Sequence, residues 1–231
     1  MSEPGASRSS PAFRRGVKIC GLTREADAEW AEACGATHLG VILAGGPRLI
    51  TVPRARAVLG APRPSVRRVA VFGEQPVDQV ARVALDLALD VIQLHGGTTP
   101  DDVAWLRQET GSRVWPVLRV GVDGLPREAD ALATAAGALV VDTLVPGQLG
   151  GTGVPLAWDA LVAPLAALRG RVGEVETVVA GGLTPDNVAR AVHLLVPACV
   201  DVSSGVEAAP GVKDPGRVRA FVRAAAGYRE T

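Results

Sequence analysis

The chain repeats one pattern, in which a short apolar run rich in valine, isoleucine and leucine is followed by a longer segment of helical periodicity. The runs predict β-strands and the periodic segments predict α-helices, so each repeat is one βα unit. The predicted strands begin at intervals of 21, 29, 24, 23, 24, 39 and 22 residues, at Val17, His38, Arg67, Val91, Val114, Ala138, Thr177 and Cys199. Eight such units predict a single-domain (β/α)8 TIM barrel over residues 17–231. An open doubly wound sheet is the alternative, because a count of strands does not show that the sheet closes.

Prolines and carboxylates mark where several helices are predicted to begin. Pro100 is followed by two aspartates, and Asp214 comes directly before Pro215. Proline is tolerated in the first helical turn and carboxylates there complement the helix dipole, so both segments predict a helix start. Thr184 is the predicted N-cap of the helix that follows the seventh strand.

Composition and charge exclude several classes of protein. Apolar residues make up 48% of the 231 residues and charged residues 21%, which is typical of a packed globular chain. The formal net charge is zero, so neither nucleic acid nor an anionic membrane is a predicted partner. The three cysteines form no CxxC pair and have no histidine at zinc-ligand spacing, so neither a metal nor a disulfide is predicted.

Two further features concern location. No apolar run reaches the length of about 18 residues that a membrane-spanning helix needs. Residues 1–16 are rich in serine, proline and arginine and lack the apolar region of a signal peptide. They are predicted to be a disordered tail, and the protein is predicted to be cytoplasmic.

Three chemically active residues lie where predicted strands end, which is where (β/α)8 barrels carry their catalytic groups. Cys20 follows the first strand, His95 the fourth, and Asp142 ends the sixth. Each also has a structural interpretation. A free cysteine usually packs as a small apolar residue, an aspartate there can cap the next loop, and a histidine can order its own loop. Cys34 and Cys199 are predicted to be structural, because they lie in a helix and at the opposite end of a strand.

Candidate anion-binding groups follow other strands. Arg48 follows the second strand in a glycine-rich loop, where its planar guanidinium could bind a carboxylate or phosphate or simply be solvated. The long interval after the sixth strand contains a glycine-rich segment over residues 147–153, interpreted as an active-site loop or an exposed connector. Glycine-bearing turns after the last two strands predict a phosphate site at Gly181, Gly182, Ser204 and Gly205.

Seven motifs occur in order between about Val17 and Gly227: KICGLT from Lys18, QLHG from Gln93, VDT from Val141, GGTG from Gly150, AGGL from Ala180, DVSSGVE from Asp201 and PGVKD from Pro210. Together they resemble the phosphoribosylanthranilate isomerase family of tryptophan biosynthesis. The resemblance implies an Amadori rearrangement of N-(5′-phosphoribosyl)anthranilate to 1-(2-carboxyphenylamino)-1-deoxyribulose 5-phosphate, without a cofactor. It also implies a phosphorylated small-molecule substrate and a monomer or homodimer.

The same resemblance implies roles for individual residues. Cys20 matches the family's general base, Asp142 its general acid, and Arg48 its contact to the anthranilate carboxylate. Gly181, Gly182, Ser204 and Gly205 match its phosphate-binding turns, and His95 lies on the same rim. Such chemistry requires a thiol pKa that is lowered and a carboxyl pKa that is raised.

The chain departs from the family pattern at two places. Residues 44–47, before Arg48, read Ala-Gly-Gly-Pro where many members have an aromatic residue and a Lys-Ser pair, and Leu156-Ala157 stands where Phe-Asp is common. These departures bear on the fit of the aromatic ring and on the sixth loop. The alternatives are another sugar-phosphate isomerase with the same phosphate site, and a non-catalytic barrel that binds phosphorylated metabolites or a partner enzyme.

Overall fold

The computed structural model describes residues 15–120, 124–143 and 158–227. Its eight barrel strands are β1 (Gly16–Ile19), β2 (His38–Ile42), β3 (Arg67–Phe72), β4 (Val91–Leu94), β5 (Arg113–Val120), β6 (Ala138–Thr143), β7 (Glu176–Ala180) and β8 (Cys199–Val202). Each strand pairs in parallel with the next along the chain, and β1 pairs with β8, so the sheet closes. The predicted barrel is confirmed, every predicted strand start lies within one residue of the observed start, and the open-sheet alternative is wrong.

One helix follows each strand. The helices are α1 (Glu25–Ala33), α2 (Val52–Leu59), α3 (Val77–Asp86), α4 (Pro100–Thr110), α5 (Ala129–Ala136), α6 (Asp159–Val172), α7 (Val188–Leu195) and α8 (Pro215–Ala226). A 3-10 turn (Ser204–Val206) and a two-stranded antiparallel hairpin, β9 (Glu207–Ala209) with β10 (Val212–Lys213), are inserted between β8 and α8. This insertion was not predicted from the sequence.

The helix starts predicted at two prolines are correct, and a third prediction is wrong. Thr99 and Asp102 form a capping box at the start of α4, and the Asp214 side chain accepts a hydrogen bond from the Arg217 N–H at the start of α8. Thr184 does not cap α7. The Asn187 side chain instead accepts from the Thr184 N–H at 2.7 Å and donates to the Gly182 carbonyl, which holds a turn ahead of the helix.

Two apolar layers hold the barrel together. The larger layer lies between the sheet and the helices, and a smaller cluster that includes Val69, Val91, Trp115, Val140 and Cys199 forms a separate group of buried residues. Strands buried on both faces need apolar residues at nearly every position, which explains the uninterrupted runs in the sequence. The charged side chains buried within this apolar setting are therefore the ones that require an explanation.

Several sequence predictions fall outside the described residues. These are most of the predicted tail, the glycine-rich segment over residues 147–153, and Leu156-Ala157. The boundary between a tail over residues 1–16 and a barrel over residues 17–231 stays a prediction. Among the residues that the structure describes, no helix is long and apolar enough to cross a membrane.

Candidate active site

The structure brings the candidate residues to one rim of the barrel. Cys20 comes directly after β1, His95 directly after β4, and Asp142 lies next to the last residue of β6. Parallel strands in a closed barrel end at the same rim, so these three side chains share the C-terminal mouth.

A buried ion pair lies beside Cys20. Lys18 and Asp201 are register partners on β1 and β8, and the Lys18 Nζ donates to Asp201 Oδ2 at 2.9 Å. Lys18 is completely buried, and its charge interacts with the Cys20 thiol. The two residues share a strand face because they are separated by one residue. This places an ammonium group against the candidate base, which the sequence alone could not show.

Gly40 on β2 provides the space for this arrangement. A Cβ added at Gly40 would lie 3.0 Å from Lys18 Cε and 3.2 Å from both Lys18 Nζ and Cys20 Sγ. The fully buried Lys18, tied to Asp201, has little freedom to move away from such an atom. A side chain at position 40 would therefore disturb the contact between the ammonium and the thiol.

The pKa of Cys20 shifts in the direction opposite to the one expected. Burial raises the pKa of the thiol, and the nearby Lys18 ammonium opposes that rise without reversing it. The Asp201 carboxylate adds to the rise, whereas the Lys213 ammonium lowers the pKa. The expectation of a lowered pKa is wrong because removal of water from the thiolate outweighs the attraction of the cations.

The pKa of Asp142 shifts in the direction that the role of general acid requires. Burial raises its pKa to about 6, and the Asp201 carboxylate adds to the shift while Arg119 and Lys18 oppose it. Arg119 is the register partner of Asp142 on β5 and is exposed, and the sequence did not single it out. The Lys18–Asp201 pair thus acts electrostatically on both the candidate acid and the candidate base.

His95 is neutral near pH 7. Burial and the Lys18 charge lower its pKa to about 4, and its Nε2 lies 3.2 Å from the Gln93 amide nitrogen. An unprotonated ring nitrogen accepts a hydrogen bond from that amide. The histidine is therefore an uncharged group on the rim, which suits either contact with substrate or ordering of its own loop.

Arg48 reaches the mouth as part of a cluster of three charged side chains. Its Nε and Nη2 donate to Glu207 at 2.7 and 2.6 Å, and the Lys213 Nζ donates to the same carboxylate at 2.9 Å. A Cβ added at Gly21, whose φ is +70°, would lie 2.5 Å from Arg48 Cδ. The arginine stem therefore passes over the residue that follows Cys20. The sequence assigned no role to Glu207 or Lys213.

The two predicted phosphate-binding turns pack against each other. Gly181 and Gly182 have φ of +87° and +61°, which favours glycine. A Cβ added at Gly205 would overlap the Leu183 carbonyl oxygen, so Gly205 allows the turn after β8 to contact the turn after β7. Ser204 begins the 3-10 turn. Helix α7 begins only at Val188, so its N-terminus lies farther from Gly182 along the chain than a helix capped by Thr184 would place it.

A cavity of about 570 Å³ opens at the opposite, N-terminal rim and contains none of these groups. Four charged side chains line this cavity, and they form two ion pairs with each other, Arg67 with Asp90 and Arg113 with Glu176. The candidate residues described above therefore all lie at the C-terminal mouth. Among the described residues, no group of three or more histidine, cysteine or acidic side chains could hold a metal ion.

Comparison with known proteins identifies the family. The family model described as N-(5'phosphoribosyl)anthranilate (PRA) isomerase matches residues 17–224. The chain belongs to this family. A relative named N-(5'-phosphoribosyl)anthranilate isomerase from Chromohalobacter salexigens is 43% identical over 215 residues, which are 93% of this chain and 95% of the relative.

Solved structures of family members have the same fold. The phosphoribosylanthranilate isomerase of Thermotoga maritima aligns with a TM-score of 0.79 at 29% identity, over 93% of this chain and all of the other. A second structure, of monomers generated from the dimeric enzyme of the same organism, aligns with a TM-score of 0.76 at 29% identity and the same coverage. As a member of this family the chain is an enzyme, an isomerase of tryptophan biosynthesis, and the non-catalytic barrel is wrong.

Proposed function

We propose that this isomerase rearranges N-(5′-phosphoribosyl)anthranilate with Asp142 as general acid and Cys20 as general base. The acid gives its proton to the furanose ring oxygen as the bond from that oxygen to C1 breaks, which leaves a protonated Schiff base at C1. The base then removes the proton from C2, and the resulting enol amine becomes the 2-ketose by proton return to C1. Atoms are conserved throughout, so the step needs no oxidant or reductant.

One observation carries this proposal: the charges of the buried Lys18–Asp201 ion pair act on the pKa values of both Cys20 and Asp142. The raised pKa of Asp142, about 6, keeps part of the carboxyl protonated near neutral pH, as a proton donor requires. Lys18 beside Cys20 stabilises the thiolate that accepts the second proton. The two groups act in succession, so the pH profile should describe the pair and not either residue alone.

Two further contacts complete the proposed substrate site. Arg48 binds the anthranilate carboxylate, since a guanidinium matches a carboxylate through its planar donors. Backbone N–H groups of the turns at Gly181, Gly182, Ser204 and Gly205 bind the phosphate, with His95 as a neutral neighbour of the ribose. The monomer or homodimer and the cytoplasmic location stay predictions from the sequence and the resemblance.

Rescue of a tryptophan auxotroph that lacks this isomerase tests the proposed function in a cell. The unaltered chain should restore growth, whereas Cys20→Ala and Asp142→Asn should not, because each loses on the order of 10²–10⁴ in kcat. Cys34→Ala is the control, since Cys34 lies at the end of α1 and away from the rim. Growth with Cys20→Ala and Asp142→Asn combined would show that other residues carry the chemistry.

A further inference from the structure

Arg48 is held by a carboxylate that the family resemblance left without a role. Both oxygens of Glu207 accept from the guanidinium, through Nε at 2.7 Å and Nη2 at 2.6 Å. The side chain of Glu207 is 5% exposed and that of Arg48 is 20% exposed. A bidentate pair fixes the plane of the guanidinium as well as its position. Arg48 therefore has one defined orientation at the mouth of the barrel.

Glu207 is itself held in place by hydrogen bonds from Lys213 and Gly211. Its Oε1 also accepts from the Lys213 Nζ at 2.9 Å and from the Gly211 N–H at 3.2 Å. Lys213 is 1% exposed and donates to the Ser203 carbonyl as well. The carboxylate thus belongs to the hairpin formed by β9 and β10, which is tied to the end of β8.

Arg48, by contrast, comes from an exposed loop. Gly45 and Gly46, shortly before it, are exposed and have no atoms within 4 Å of an added Cβ. A long arginine side chain on such a loop loses considerable conformational entropy when it is fixed in one place. The bond to Glu207 provides that fixation before a substrate arrives.

We infer that Glu207 is the positioning residue of Arg48 and sets the affinity of the enzyme for the substrate carboxylate. Glu207 acts through the arginine and does not itself contact the substrate. The Arg48 Nη1 donates no hydrogen bond to any residue that the structure describes, so its N–H groups and the second N–H of Nη2 can donate to the ligand. This inference rests on the role proposed above for Arg48.

The charge of the cluster agrees with this role. Burial disfavours the charged form of Glu207, but Arg48 and Lys213 lower its pKa, so the carboxylate is ionised at neutral pH. Two cations and one anion leave a net positive charge beside the ligand. Without Lys213, the charge of Glu207 would cancel that of Arg48 and weaken its attraction for an anionic group.

A double-mutant cycle on the full-length chain tests the inference. Glu207→Gln, Arg48→Ala and the double variant are compared by kcat and KM with N-(5′-phosphoribosyl)anthranilate. Glu207→Gln should raise KM on the order of tenfold and change kcat much less, because it removes a charge-assisted contact that positions a binding group. In the Arg48→Ala background, the same change should have no further effect on kcat/KM.

Two further variants separate positioning from general damage. Glu176→Gln removes the carboxylate of an exposed glutamate–arginine pair at the opposite rim and should leave KM unchanged. Glu207→Asp keeps the charge and should recover much of the affinity that Glu207→Gln loses. If Glu207→Gln does not fold, the cycle is run with Glu207→Asp, whose smaller rise in KM should likewise disappear in the Arg48→Ala background.

The outcomes distinguish this inference from the proposed function. If the losses from Glu207 and Arg48 variants multiply in the double variant, Glu207 does not act through Arg48 and the inference is wrong. It is also wrong if Glu207→Gln lowers kcat and leaves KM unchanged. If Arg48→Ala leaves KM unchanged, the role of Arg48 and the inference fail together, while the acid and base assignments stand on their own variants.

Discussion

The Lys18 ammonium and the Asp201 carboxylate form a 2.9 Å ion pair across the contact between β1 and β8, where the barrel closes. Removing a charge from water is costly, and an ion pair inside an apolar barrel is not an efficient means of stabilisation. The pair nevertheless shifts the pKa values of both Cys20, the proposed base, and Asp142, the proposed acid. If Cys20 and Asp142 act as proposed, the pair tunes both of them, and its removal should affect activity as well as stability.

Removal of Lys18 should harm both stability and activity. Lys18→Met leaves Asp201 buried without its partner, which should cost about 3–5 kcal/mol in the free energy of unfolding. It should also raise the pKa of the Cys20 thiol further and lower kcat near neutral pH, because the cation that favours the thiolate is lost. Chemical denaturation and the pH dependence of kcat measure the two effects.

A surface pair provides the control for Lys18. Arg190→Met breaks the ion pair of Arg190 with Asp159, in which both side chains are more than half exposed. Its cost should not exceed about 1 kcal/mol, and kcat should not change. Equal losses for Lys18→Met and Arg190→Met would contradict the special role of the buried pair.

Asp142→Asn should make the protein more stable at pH 7 while it removes most of kcat. The pKa of Asp142 is raised from 3.8 to about 6 in the folded state. A raised carboxyl pKa contributes stability below pH 3.8 that is lost as the pH rises to about 6 and above. Ionised Asp142 therefore costs roughly 2–3 kcal/mol at pH 7, and the asparagine variant avoids this cost.

Thermal unfolding at two pH values checks this sign. The variant should melt above the unaltered protein at pH 7, and the difference should shrink toward pH 4. An unchanged difference between the two pH values would mean that the pKa of Asp142 is not raised by folding. Stability gained through loss of a catalytic group is expected where the group is held in an unfavourable environment.

The sequence predicted the strands well because parallel strands covered on both faces require uninterrupted apolar runs. It also located Cys20 and Asp142, since a polar residue at a strand end lies on the catalytic rim. The ion pair of Lys18 with Asp201 joins residues 183 positions apart, and the pair of Arg48 with Glu207 spans 159. Such contacts depend on how the barrel closes and on a hairpin after β8, neither of which is encoded locally.

The helix start predicted at Thr184 shows a second limit of prediction from the sequence. The Thr184 side chain fits the preference for an N-cap, but the Asn187 side chain bonds to the backbone at Gly182 and Thr184 and delays the helix. Two residues with similar capping chemistry compete within one short segment, and the choice between them depends on tertiary packing. Local preference could predict that a helix starts here but not at which residue.

Gly205→Ala should be strongly destabilising, although it adds a single methyl group. The new Cβ would overlap the Leu183 carbonyl oxygen, so the turns after β7 and β8 would have to separate. We expect a loss of more than about 2 kcal/mol in the free energy of unfolding, as for other overpacked sites, and weaker phosphate binding. Gly170→Ala is the matched control, because Gly170 is exposed within α6 and has no atom within 4 Å of an added Cβ.

The control variant, Gly170→Ala, should increase stability, whereas Gly205→Ala should decrease it. Alanine in an exposed helix interior is favoured over glycine by roughly 0.5–1 kcal/mol, so Gly170→Ala should raise the melting temperature slightly. If both variants lose stability equally, the contact between the two turns is not a specific requirement at Gly205.

Phosphate binding should be measurable without any turnover. A ligand that binds only the folded state stabilises it by RT ln(1 + [L]/Kd), which gives about 5–10 °C in melting temperature at 100 times Kd. Inorganic phosphate and ribose 5-phosphate are the probes. Gly182 has φ of +61°, so Gly182→Ala places a side chain in a left-handed turn at the proposed site and should reduce the shift that phosphate causes.

Gly137→Ala separates backbone strain from the loss of a binding site. Gly137 ends α5 with φ of +68° and has open space around an added Cβ, so alanine there suffers the same left-handed strain at the N-terminal rim. Both variants should therefore melt at a lower temperature without ligand, but only Gly182→Ala should lose the response to phosphate. An equal response in the two variants would place the anion elsewhere, because strain alone cannot distinguish one rim of the barrel from the other.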